Sequence, residues 1–130
     1  MQCSSNAILC ESVRREHDGK HTLVGAVVGG LETDQNEFDE KLSLFASFDD
    51  LPQGAHKLCL RLTPPSKHPQ VTQYTLQVDD SDQAILLVIS GIPFKTSNSG
   101  FFIFHYQFDG EKRWRKLISL EITLSQVESA

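Results

Sequence analysis

The densest run of residues able to do chemistry is Arg113-Trp114-Arg115-Lys116. A guanidinium group grips carboxylates or phosphates in a planar fork, and an indole supplies rigid apolar area. Both residue types are enriched where proteins bind one another. A nucleic-acid base could also stack on Trp114. The net charge of -5 and the lack of a second basic stripe argue against that partner. Arg113, Trp114 and Arg115 are therefore the candidate interaction residues, for a protein partner or for self-association. Along a regular strand Arg113 and Arg115 face away from Trp114, so the three act together only at an edge or a strand end. The competing reading is an edge strand guarded by charge, with Trp114 partly buried.

Other clusters are weaker. Glu16, His17, Asp18 and His21 surround Asp18-Gly19, a dipeptide suited to a two-residue hairpin loop. Such a loop sets His17 opposite Lys20 and Glu16 opposite His21. These carboxylates and imidazoles lack an established metal spacing, and Lys20 repels a cation. His56, His68 and His105 fall in separate segments with no nucleophile elbow near them. Gly25, Gly29 and Gly30 lead into no helix, so they make no phosphate cradle. Asp49-Asp50 and Asp79-Asp80 read as turns, where Asp bonds local amides; calcium between such loops would need several converging oxygens. The expectation is no catalytic residue, no metal and no cofactor.

The elements that must position these groups are strands. Apolar residues alternate with polar ones, broken by turn residues. Ala7 to Glu16 and Lys20 to Leu31 read as a hairpin whose second strand bends at its glycines. Glu32 to Asp39 reads as an acidic connection. Leu42, Leu44, Ala46 and Phe48 share one strand face; Leu58, Leu60 and Leu62 share another, with Lys57, Cys59 and Arg61 opposite. Tyr74, Leu76 and Val78 share a third face. Ala84 to Ile92 is almost continuously apolar, as a strand buried on both faces or a central strand would be. Lys95 to Gly100 reads as a loop. Phe102, Phe104, Tyr106 and Phe108 then line one face, with His105 and Gln107 behind. Asp109-Gly110 is a second hairpin signal. Arg113 to Leu124 closes the pattern, with Ile118, Leu120, Ile122 and Leu124 inward.

These strands predict an all-β fold: an antiparallel β-sandwich of about eight strands, immunoglobulin-like or C2-like, with a small β-barrel as the alternative. At 130 residues the chain is read as a single domain over 1–130, with residues 1–5 and 125–130 as flexible ends. Of three cysteines, Cys10 and Cys59 fit buried thiols and Cys3 a loose tail. The odd count argues against a disulfide framework. The first residues carry no basic start or apolar stretch of a leader peptide, and Ala84 to Ile89 is too short to span a bilayer. A cytoplasmic protein that engages no membrane is expected.

The order of Leu9-Cys10-Glu11-Ser12-Val13-Arg14-Arg15-Glu16, Gly19-Lys20, Leu23-Val24-Gly25, Leu51-Pro52-Gln53-Gly54-Ala55-His56 and Ser99-Gly100-Phe101-Phe102-Ile103-Phe104 resembles a family of small bacterial β-sandwich proteins. That family is catalogued only as a domain of unknown function. The resemblance spans nearly the whole chain and implies a bacterial or phage origin. It brings no catalytic residues. The functional expectation is a non-catalytic binding or assembly module acting through protein–protein contact, with a sandwich binding a small ligand or carbohydrate as the alternative.

Overall fold

The computed structural model describes residues 3–125. Nine strands follow one another: β1 (Ser4–Arg15), β2 (His21–Val27), β3 (Gly30–Thr33), β4 (Phe38–Asp49), β5 (Gly54–Thr63), β6 (Gln70–Val78), β7 (Ile85–Thr96), β8 (Gly100–Phe108) and β9 (Arg115–Leu124). No helix occurs among the described residues. The strands form a four-stranded sheet in the order β2-β1-β4-β7 and a five-stranded sheet in the order β3-β9-β8-β5-β6. Every pairing is antiparallel except β3 with β9. No ladder joins the two sheets, so the fold is a sandwich and not a closed barrel.

The alternating apolar positions meet between the sheets. Leu42, Leu44, Ala46 and Phe48 of β4 face Phe102, Phe104, Tyr106 and Phe108 of β8, and none is more than 2% exposed. The rings pack edge to face, with Phe48 and Tyr106 centroids 5.3 Å apart and Phe94 and Phe102 centroids 4.9 Å apart. That geometry suits the ring quadrupoles and adds to the gain from burial. Each fully buried Phe contributes about 1.5–3 kcal/mol relative to an exposed one.

Several boundaries differ from the sequence expectation. The chain from Lys20 to Leu31 is two strands, not one that bends. β2 belongs to the four-stranded sheet and β3 to the other, and the crossing at Val28-Gly29 places Gly29 at φ +84°. At Gly30 a Cβ would lie 2.8 Å from the Glu121 carbonyl oxygen, so only glycine lets β3 run this close to β9. The acidic connection shrinks to residues 34–37, because Phe38 is buried and opens β4. β7 continues past Ile92 to Thr96, burying Phe94 and Thr96 fully. It is an edge strand, not a central one, and pairs with β4 alone. Pro93 is tolerated there because an edge has a free side. At the N-terminus, Ser4 and Ser5 pair with Asp49 and Phe48 and belong to β1, not to a loose end. Residues 1–2 and 126–130 of the expected flexible ends lie outside the described residues.

Candidate functional site

The surface around Trp114 is shaped by one irregularity in the β8–β9 ladder. Phe104 pairs with Ile118, but His105 pairs with Lys116, so Leu117 is an extra residue on β9. A bulge of this kind inverts the alternation on one side of itself. C-terminal to it, Leu120 and Ile122 are buried as the sequence pattern requires. N-terminal to it, the faces exchange. Arg115 pairs with Tyr106 and turns inward, while Trp114 emerges on the outer face.

On that outer face the Arg61 guanidinium lies over the Trp114 ring, 4.5 Å from its centroid. Arg61 stands directly across from His105 on β8, and His105 directly across from Lys116 on β9. Three basic side chains thus form one row across β5, β8 and β9. Trp114 is half-buried, and Lys116 and Arg113 are exposed. Among the described residues, the ion pairs join Lys20 to Asp18, Lys95 to Glu37 and Arg115 to Glu111; none engages Arg61, Arg113 or Lys116. Two atoms of the row, Arg61 Nε and His105 Nδ1, are buried without a hydrogen-bond partner. Burial, and then the charges of Arg61 and Lys116, push the His105 imidazole below its ordinary range. The imidazole is therefore held neutral, and the positive charge of the row is that of Arg61 and Lys116, neither of which is in one of these ion pairs.

The structure does not bring Arg113, Trp114 and Arg115 together. Arg115 is engaged inside the end of the sandwich. Its guanidinium donates to the Cys3 carbonyl at 3.2 Å, pairs with the Glu111 carboxylate and lies over the Tyr106 ring. Glu111 in turn accepts the Phe108 amide at 3.0 Å while its own amide donates to the Phe108 carbonyl. Burial alone would raise the Glu111 pKa. The Phe108 amide and the Arg115 guanidinium outweigh it and hold the carboxyl below the usual range. This cluster ties the start of β1 to the β8–β9 connection. Cys3 is therefore docked, not loose, and burial raises its thiol pKa despite Arg115 beside it. Cys10 is buried as expected, whereas Cys59 is partly exposed on the outer face of the five-stranded sheet. The partners that complete the surface, Arg61 and His105, were legible only as outward positions of their own strands.

The remaining groups serve local structure. The Glu16 amide donates to the Lys20 carbonyl and the Gly19 amide to the Glu16 carbonyl, with Gly19 at φ +84°. The first hairpin thus has a three-residue loop of His17, Asp18 and Gly19, and Arg15 faces His21. Glu16 accepts from the Thr22 hydroxyl at 3.0 Å. No group of three or more His, Cys, Asp or Glu among the described residues is placed to hold a metal. The His56 ring bonds the Pro52 carbonyl at 2.6 Å and braces the β4–β5 turn. Asp80 accepts the Asp82 amide at 2.9 Å, a turn of the type its sequence suggested. A cleft of about 250 Å³ opens between the edges of β6 and β7, lined by Leu62, Tyr74, Ile89, Ile92 and Phe104 among others, with no charged side chain.

No family model matches the chain, and no curated protein matches it. No helix among the described residues is long and apolar enough to cross a membrane.

Proposed function

We propose that this protein is a non-catalytic binding module that engages a protein partner through the outer face of its five-stranded sheet. The observation that carries this reading is the Arg61–Trp114 stack beside the uncompensated row of Arg61, His105 and Lys116. An indole held flat by a guanidinium loses little freedom on binding, and the part-buried Arg61, with its Nε unpartnered, gains from a carboxylate. The partner is a protein segment rich in Asp and Glu with an apolar residue for the indole. A net charge of -5 opposes long-range attraction to nucleic acid. The small-ligand alternative has less support: the apolar cleft between β6 and β7 holds about 250 Å³ and offers no charged anchor, and the larger clefts, about 400 Å³ around Asn98 and about 310 Å³ around His56 and Lys57, are lined mostly by polar side chains. Three free thiols support a reducing, cytoplasmic setting, and the resemblance to small bacterial sandwich proteins supports a bacterial or phage origin.

The test uses wild-type protein, Trp114→Ala, Arg61→Gln and Glu40→Gln as bait under matched conditions. The expected result is a stoichiometric acidic partner retained by wild type and by the remote Glu40→Gln variant, and lost from the other two. Equal retention by all four baits overturns the reading.

A further inference from the structure

Strand β7 has the composition of a central strand but stands at an edge. Its first six residues, Ile85-Leu86-Leu87-Val88-Ile89-Ser90, contain no charge and no proline. Lys, Pro and inward charges are the usual guards of an open edge, and this segment carries none of them. Leu86 and Val88 are 42% and 40% exposed on the outer face, while Ile85, Leu87 and Ile89 are half-buried toward the core. Both faces of the free edge are therefore apolar. Val88 sits across from Phe45, and Phe45 across from the exposed Ile8, so an apolar row crosses the sheet and runs out at this edge.

Charge around the edge selects the orientation of whatever covers it. The turn leading into β7 carries Asp79, Asp80 and Asp82. At the other end, Lys95 of β7 and Lys67 line one small cleft together. Lys95 lies 3.6 Å from Glu37 and across the ladder from the exposed Asp39, and its ammonium remains accessible beside them. A strand laid parallel to β7 from a second copy would set acid beside acid. Laid antiparallel, it sets each acidic turn toward the partner's lysines.

We infer that two copies of this chain pair β7 with β7, antiparallel and centred on Leu87, joining their four-stranded sheets into one. In that register Leu86 of each copy faces Val88 of the other on the outer side, and Ile85 faces Ile89 on the core side. The register keeps like faces together, as an antiparallel two-fold pair must. The Trp114 surface lies on the other sheet and stays open, so this inference is independent of the proposed function.

Sedimentation of the full chain tests it. Wild type is expected to be a dimer. Leu86→Glu and Val88→Lys each put a charge into the apolar row and weaken the dimer about tenfold or more. Both side chains point to solvent in a single copy, so circular dichroism of the variants is expected to match wild type. The double variant Leu86→Glu/Val88→Lys sets opposite charges across the two-fold and restores the dimer. Hydrogen exchange on the unaltered protein reads the same edge: amides at 85–89 become protected as concentration rises. A wild-type monomer, a dimer indifferent to the single variants, or a double variant that stays monomeric overturns the inference.

Discussion

The guanidinium carbon of Arg61 sits 4.5 Å from the centroid of the Trp114 ring, joining β5 to the segment before β9 across the outer face of the sheet. A partly exposed stack of this kind contributes about 0.5–1 kcal/mol to folding. Trp114→Ala is thus expected to lower stability in urea by roughly that amount plus the modest loss of apolar cover. If the surface binds a partner, the same change weakens binding by about 2 kcal/mol or more. A large stability loss with unchanged affinity would assign Trp114 to the fold alone.

Glu111 links pH to stability. Its carboxyl is held below the ordinary range in the folded chain, so its contribution is fully present above the unfolded value of about 4.3. That contribution is lost as pH falls through the folded value. Glu111→Gln removes the charged acceptor of Arg115 and is expected to cost about 1.5–3 kcal/mol at neutral pH, the range for a hydrogen bond to a charged group. Urea titrations at neutral and acid pH check this: the gap between wild type and variant narrows below about pH 4. A gap that stays constant with pH would exclude a charged role.

His105 acts at a higher pH and through desolvation. Its folded pKa is lowered by burial and by Arg61 and Lys116, so the unfolded chain takes up the proton first. Stability is expected to fall as pH drops below the unfolded value of about 6.5, down to the folded value. His105→Gln removes that part of the pH dependence. Ring-proton shifts in NMR are expected to place the His105 midpoint below the ordinary value of about 6.5. A midpoint at or above that value would refute the desolvated placement.

Phe104 is 2% exposed and packs against Phe94 with ring centroids 6.1 Å apart. Phe104→Ala is expected to destabilise the protein by about 3–5 kcal/mol, from lost transfer energy and the cavity left behind. A cost below about 1 kcal/mol in denaturant titration would mean that the surrounding rings collapse into the space.

What the amino-acid order determined by itself is which residues share a face. Leu42, Leu44, Ala46 and Phe48, or Phe102, Phe104, Tyr106 and Phe108, alternate with polar residues, and that period is a property of each strand alone. The all-β class follows from it, whereas the choice between a sandwich and a barrel was made only by the two separate ladders of the assembled sheets. Which strand lies beside which is a different matter, because ladder partners are chosen by packing between segments far apart in the chain. The apolar run at Ile85 to Ile89 reads the same whether its neighbours number one or two, and only the assembled sheet placed it at an edge. The crossing of Gly29 and Gly30 from one sheet to the other needed the carbonyl of Glu121 nearby to give it meaning. At the candidate surface the decisive event is one residue, Leu117, that the β8 ladder leaves unpaired. Counting by twos from Ile118 sends Trp114 inward and Arg115 outward. The bulge exchanges them, bringing Trp114 to Arg61 and Arg115 to Glu111. A local period carries no mark of such an insertion, because its cause is the fit of β9 against β8.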